Sequence, residues 1–306
     1  MSVLSAWNDG PAKSAILDFV ARVTEQGGPD FVPTDERIAV FDHDGTLWCE
    51  QPLQIQFFFA QDRLKELALE YPPLAERQPF KAFMEDDFRT IADYGKQDMF
   101  EVMLETHSGL SIEAFQRIVA AWLETARHRE LDRPYLACVY QPQLELLDHL
   151  RANGFKTFIV SGGGIDFVRV FTQQAYGVPP EQVIASSLKV RCEIHDGRVQ
   201  LIKESEIHLF NDRDVKAHQI ARHIGRRPIL AFGNSDGDLA MLRYVATGEG
   251  ARLALLLHHD DGIREFAYDR EFRLSALAEA LDRAEEYGIT LVGMKDDWKT
   301  IFSSTA

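Results

Sequence analysis

The tightest constraint on this chain is a short run, Ile38-Ala39-Val40-Phe41, that stops abruptly at Asp42-His43-Asp44-Gly45-Thr46. Four apolar residues bounded by Arg37 on one side and by carboxylates and glycine on the other suit a buried parallel strand opening into a loop at its carboxyl end. Open α/β sheets bind ligands at that end. Side chains in extended backbone repeat every two residues, so Asp42 and Asp44 can share one crevice, where two like charges repel unless a cation or a shared proton joins them. A polar turn leaving a strand has the same composition. The rest of the chain decides between the two.

The design recurs. Arg227-Pro228-Ile229-Leu230-Ala231-Phe232 runs into Gly233-Asn234-Ser235-Asp236-Gly237-Asp238, followed by helical spacing with Asp238 in its first turn. Between these stretches, Phe155 to Val160 reads as a strand entering Ser161-Gly162-Gly163-Gly164. Glycines there let backbone N–H groups approach an anion, Ser161 adds a hydroxyl, and the next helix offers its positive end. Ser-Gly-Gly-Gly is also an ordinary flexible turn. Residues 214–224 return to helical spacing and carry Lys216, which on a lone helix would simply be solvated. Two carboxylate-bearing loops at one edge of a parallel sheet can supply oxygen ligands to a hard cation such as Mg²⁺, whose usual companion is phosphate.

Around these motifs the chain divides unevenly. Residues 9–26 form an opening helix, with Pro11 at its start, Ile16, Leu17, Val20 and Val23 on one face, and Gly27-Gly28-Pro29 after it. Residues 52–133 are rich in Phe, Leu, Ala and Glu and broken by Pro72-Pro73 and Pro79, which predicts several helices whose aromatics form their own core. Because they intervene between the first two sheet strands, they should stand over the strand ends as a lid. Gln141 to Arg151 is a further helix, and residues 183–210 a small β flap turning at His195-Asp196-Gly197-Arg198. Arg252 to Leu257 supplies a fourth core strand, residues 277–287 a helix, and Ile289 to Val292 together with Trp298 and Phe302 a docked tail. His258-His259-Asp260-Asp261 invites a metal reading, but adjacent strand side chains point apart.

With 33 Lys plus Arg against 48 Asp plus Glu, the net charge of −15 argues against a broad nucleic-acid or anionic-membrane surface. Cys49, Cys138 and Cys192 are too few and too scattered for a disulfide framework or a zinc cluster, so reduced thiols and a cytoplasmic, soluble protein are expected. The opening residues carry no basic segment followed by a sustained apolar run, so export is not expected, and no stretch reaches the length of a membrane span.

Taken in order, Asp42-His43-Asp44-Gly45-Thr46, the strand to Ser161, Lys216, and Gly233-Asn234-Ser235-Asp236-Gly237-Asp238 resemble the four motifs of the haloacid dehalogenase-like (HAD) hydrolase superfamily. The helical insert is similar to the cap of its phosphoserine-phosphatase-like branch. The resemblance implies an α/β fold, a doubly wound Rossmann-like parallel sheet core with an inserted helical cap domain. The core would take residues 1–51 and 135–306, and the cap residues 52–134. It implies that Asp42 is the nucleophile forming an aspartyl-phosphate, Asp44 the general acid and base, and Lys216 the charge neutraliser. Thr46, Ser161 and the Gly162 backbone would hold the phosphoryl oxygens, and Mg²⁺ would be bound by Asp42, the Asp44 carbonyl and Asn234, with Asp238 beside it or bound through water. Asn234 stands where many members have Asp, which weakens attraction for a cation unless Asp238 or, less favoured, Asp236 compensates.

Substrate choice would fall to the lid and first loop. Trp48 and Glu50 could receive an organic, amine-bearing leaving group such as phosphoserine, and Arg89 or Arg133 a carboxylate. The expectation is a phosphatase for a small phosphorylated molecule, with no nucleic-acid or membrane partner and an oligomeric state the sequence does not specify. The alternatives are a phosphate-binding regulatory protein with weak turnover, and a phosphotransferase or mutase on the same intermediate.

Overall fold

The computed structural model describes residues 3–303. Its centre is a seven-stranded sheet of β1 (Ile38–Phe41), β2 (Lys156–Gly164), β3 (Val183–His195), β4 (Arg198–Leu209), β5 (Leu230–Gly233), β6 (Leu253–His258) and β7 (Ile289–Gly293). The spatial order is β4-β3-β2-β1-β5-β6-β7. Neighbours pair parallel except β3 and β4, the antiparallel arms of one hairpin. This is the doubly wound α/β architecture, and the two-residue turn at Asp196 and Gly197, both at positive φ, suits the right-handed twist of the hairpin.

The opening helix, α1 (Pro11–Thr24), buries Ile16, Phe19, Val20 and Val23. Next come α2 (Ile55–Glu70), α3 (Phe80–Met84), α4 (Phe88–Asp93), α5 (Lys96–His107) and α6 (Ile112–Thr125), all between β1 and β2. Their aromatics pack on one another: Phe59 meets His107, Phe115 and Trp122 edge-on at 5.5–5.7 Å, and Phe58 stacks on Tyr135 at 6.1 Å. Gly109 N–H donates to the Lys203 carbonyl (2.9 Å) and Lys203 N–H to the Leu110 carbonyl (2.8 Å), so the helical insert is hydrogen-bonded to the hairpin.

Beyond the insert, α7 (Gln141–Ala152) precedes β2, α8 (Ile165–Val168) and α9 (Thr172–Tyr176) follow it, α10 (Asp214–Ile224) precedes β5 and α11 (Leu239–Ala246) follows it. The short central strands read as unbroken apolar runs because both faces are covered. Ala39, Phe41, Leu230 and Phe232 share a core with α1 and α7, whereas Val40, Ala231 and Ala254 share one with Ile220, Leu242 and Val245 of α10 and α11. Trp298 closes the first core, edge-on to Trp7 at 6.0 Å.

Two local expectations change. Residues 277–287 are helical only over Glu279–Asp282. Ser161 to Gly164 is not a loop but the last part of β2, with a register irregularity before Gly164. The glycines are needed for close approach, since a Cβ at Gly164 would come within 2.8 Å of Gln56 Nε2 and one at Gly163 within 3.1 Å of Gln56 Oε1. Among the described residues, no helix is long and apolar enough to cross a membrane.

Candidate active site

Register decides what meets at the carboxyl edge of the sheet. Phe41 is level with Ile159 of β2 and Phe232 of β5, so the loops that begin at Asp42 and Asn234 leave side by side, next to the glycines of β2. Asp42 N–H donates to the Phe232 carbonyl at 2.9 Å. Chain order also reverses across β1, the switch point where sheets of this type form their ligand crevice.

Lys216 reaches this point from the first turn of α10. Its Nζ donates to Asp42 Oδ1 at 2.5 Å and to Asp238 Oδ1 at 2.6 Å, with its side chain 4% exposed. Arg213 turns the chain sharply into α10 at φ +54°, its N–H held by the Gly237 carbonyl at 3.1 Å. The second Asp238 oxygen accepts the N–H groups of Asn234 (3.0 Å) and Ser235 (3.1 Å) and the Ser235 hydroxyl (3.2 Å). Asp238 therefore ties the third loop to the lysine, with one oxygen taking three donors of that loop and the other held by Lys216. Asp236 turns away altogether and accepts the N–H groups of Ala278, Glu279 and Ala280.

Two carboxylates share one buried ammonium. Burial first, and Asp238 second, raise the Asp42 carboxyl well above the ordinary range against the pull of Lys216. Burial likewise opposes charge on Lys216, but Asp238 and Asp42 outweigh it and hold the lysine above its usual value. Asp44 behaves oppositely. Burial works to raise it, yet the His43 imidazole 3.7 Å away and the Trp48 indole N–H, donating at 2.8 Å, together hold it below the ordinary range.

Asn234 is fixed from both sides. Its Nδ2 donates to Glu50 Oε1 at 2.9 Å, while its Oδ1 accepts the Thr46 hydroxyl at 2.9 Å. An amide oxygen has two lone pairs, so one remains for a cation. Gly45 makes room for this contact: it sits at φ +75°, and a Cβ there would collide with the Asn234 amide and the Glu50 carboxylate. Among the described residues, no three His, Cys, Asp or Glu side chains cluster to hold a metal. Any ion here must use carbonyl and amide oxygens as well. Asp42, the Asp44 carbonyl and Asn234 are the residues that would offer such an all-oxygen set, of the chemistry a hard cation takes, and the excess of buried carboxylate over ammonium would be offset by positive charge.

Asp42, Asp44, Lys216, Gly162 and Ser235 line one cavity of about 270 Å³ that extends from the sheet edge between α5 and the hairpin. Other expected contributors lie elsewhere. Thr46 is fully buried and serves Asn234, so it does not reach the cavity as a phosphate ligand. The Ser161 hydroxyl is also buried and accepts Gly163 N–H at 2.9 Å, so the glycine backbone, rather than Ser161, faces the cavity. Glu50 is not a substrate contact: it is 0% exposed and accepts from Asn234, Tyr268 (3.0 Å) and Gln54 (3.1 Å). Trp48 holds Asp44 and stacks on Phe171 at 4.8 Å, away from any leaving group. Arg89 is exposed outside the cavity, and Arg133 donates to the Ala137 carbonyl over the Phe302 ring.

The sequence singles out Glu50 and His259 but gives no sign of Glu265 and Tyr268, with which they form a buried set behind the loop. Burial, then Asp44, push the Glu50 carboxyl up to about 7. His259 approaches the Gly45 carbonyl through Nε2 at 2.7 Å and Glu265 through Nδ1 at 3.3 Å, and stacks on Tyr268 at 4.4 Å. Burial opposes its charge, but Glu265 and Glu50 raise its pKa. Glu265 and Tyr268 lie in irregular backbone with no periodicity to flag them.

With this geometry in view, comparisons with known proteins are informative. The sequence profile of the haloacid dehalogenase-like hydrolases matches residues 39–243, well over half of the chain. No curated protein sequence matches. A conserved protein of unknown function from Anaerococcus prevotii DSM 20548 superposes with a TM-score of 0.61 at 15% identity, covering 95% of this chain and 94% of its own. A protein of unknown function from Bordetella pertussis Tohama I gives 0.51 at 14% identity, covering 84% and 98%. These two likenesses concern the fold; the profile match spans all four motif loops and the helical insert, and the chain belongs to the haloacid dehalogenase-like hydrolases.

Proposed function

We propose that this hydrolase is a Mg²⁺-dependent phosphatase that cleaves a small-molecule phosphomonoester through an aspartyl-phosphate on Asp42. The observation that carries this reading is the contact of Lys216 with both Asp42 and Asp238 at the floor of a cavity whose wall is the glycine backbone of β2. Lys216 fixes Asp42 Oδ1, which leaves the second oxygen to attack phosphorus. As that bond forms, the ester P–O bond breaks and the leaving oxygen takes a proton from Asp44. Asp44 then accepts a proton from water, which attacks phosphorus and releases Asp42.

In the free protein the two carboxyls are tuned against these roles, with Asp42 raised and Asp44 lowered. Substrate charge beside Asp44 moves it upward toward a proton donor. A cation held by Asp42, the Asp44 carbonyl and Asn234 would supply the positive charge that ionises Asp42 and offsets the phosphoryl oxygens. The Gly162 backbone, with Lys216, would meet the remaining phosphoryl charge, since the Gly163 N–H is already taken by the Ser161 hydroxyl. The net charge of −15 fits a small-molecule substrate better than nucleic acid or an anionic membrane.

Phosphate release from an aryl phosphate, measured with Mg²⁺ and with a chelator, tests the reading. Release that requires the ion and disappears in Asp42→Asn supports it, and release untouched by both changes refutes it.

A further inference from the structure

We infer that the cavity selects phosphomonoesters whose leaving group is apolar and uncharged, because the space beyond the phosphoryl position is walled by apolar side chains and its charged groups are already paired. The inference rests on the phosphatase reading and deepens it. Met99, Phe100 and Met103 of α5 line one side, and Leu188, Ile207 and Phe210 from the hairpin line the other. Leu188 and Ile207 are cross-strand partners, and Phe100 meets Phe210 edge-on at 5.0 Å, so the two walls are joined into one apolar chamber.

The polar side chains of this chamber are turned toward one another. Lys203 is ion-paired to Asp166 and lies 4.4 Å above the Phe115 ring. His107 Nε2 meets Gln56 Nε2 at 2.9 Å, and Gln56 Oε1 accepts Gly164 N–H at 2.8 Å. At the rim, Lys96 pairs with Asp212 at 3.0 Å, Arg213 with the same carboxylate at 4.0 Å, and Arg273 with Asp93 at 3.9 Å. Apart from Lys216, Asp42 and Asp44 at the floor, each charged lining residue has an opposite charge beside it. Inside the chamber a charged leaving group would have to compete with the buried Lys203–Asp166 pair, since the pairs at the rim are exposed, and Glu50, sealed behind Asn234, offers an ammonium no partner. An uncharged apolar group breaks none and takes the water-exposed faces of Met103 and Ile207 out of water.

Size narrows the class further. An apolar cavity of roughly 150 Å³ holds a benzene ring. The 270 Å³ here therefore holds a phosphoryl group and a leaving group on the order of one aromatic ring or a short alkyl chain.

The test is a series of methyl, propyl and hexyl phosphate, whose leaving alcohols differ little in acidity, run beside O-phosphoserine, with the matching alkylphosphonates measured for binding by calorimetry. We expect kcat/KM to rise about threefold to fourfold per added methylene until the chamber is full. Phosphonate Kd should fall in step, and O-phosphoserine should be hydrolysed more slowly than propyl phosphate. Leu188→Asn and Met103→Gln should flatten both slopes. Hydrolysis with a flat or falling slope, or with O-phosphoserine preferred, overturns the inference while leaving the phosphatase reading in place. Graded phosphonate binding without hydrolysis of any ester sinks the phosphatase reading and keeps the chamber assignment. Neither hydrolysis nor graded binding overturns both.

Discussion

Replacing Lys216 by methionine leaves the carboxylates of Asp42 and Asp238 facing each other in the interior without a counter-charge. The lysine side chain is 4% exposed, and its two acceptors are 9% and 0% exposed, so water cannot take its place. Removing one member of a buried ion pair costs about 3–5 kcal/mol, chiefly because the partner charge stays behind. Unfolding entropy of roughly 2.1 cal/mol/K per residue gives about 0.6 kcal/mol/K for a chain of 306 residues, so the midpoint should fall by about 5–8 °C. The loss should depend on pH. Asp42 already has a raised folded pKa, so its stability contribution is full below the unfolded carboxylate value and is lost as pH rises through the folded one. Without Lys216 the folded value rises further, which makes the deficit larger near pH 8 than near pH 5. Thermal unfolding of both proteins at those two pH values, with a chelator present, reads this directly. Lys216→Met combined with Asp238→Asn should recover part of the loss, because one of the two stranded charges is gone. An unchanged midpoint near pH 8, or an equal deficit at both pH values, would refute the reasoning.

Asp44→Asn keeps the backbone carbonyl and the shape of the loop but removes the proton carrier. Its kcat should fall on the order of a hundredfold or more while phosphonate and Mg²⁺ affinity hold, and a near-normal kcat in steady-state assays would remove the assigned role. Glu50→Gln should alter stability rather than chemistry. Its carboxyl sits at about 7 instead of the ordinary 4.5, so the wild type loses stability relative to the variant as pH rises through about 7. That difference amounts to something on the order of 3 kcal/mol. Urea unfolding curves for the two proteins that stay parallel from low to high pH would contradict it.

What the sequence made legible follows from how each feature is encoded. Strands β1, β5 and β6 are nearly uninterrupted apolar runs and β2 has one at Phe158 to Val160, and the loops at the ends of β1 and β5 carry residue types with few structural uses, so sheet, strand-end loops and the order of the motifs could be read together. α10 announced itself through helical spacing between Asp214 and Gly225. Side-chain direction was much less legible. Thr46, Glu50 and Trp48 sit within a few residues of Asp44, yet all three are fully buried, because the Gly45 turn points the loop back into the core toward Asn234, Tyr268 and Phe171. Nothing in local composition distinguishes that turn from one that opens outward. Ser161 is a similar case, since the strand continues through Gly164 to let Gln56 approach. Glu265 and Tyr268 were invisible for a different reason: they meet Glu50 and His259 only through tertiary contact, from a segment without regular structure.

The central claim is that Asp42 carries the phosphoryl group. Turnover of a ³²P-labelled ester, quenched rapidly in acid and followed by peptide mapping, should place a hydroxylamine-labile label on the peptide containing Asp42 and nowhere else. Sustained phosphate release with no label on that peptide, retained in Asp42→Asn, would contradict it.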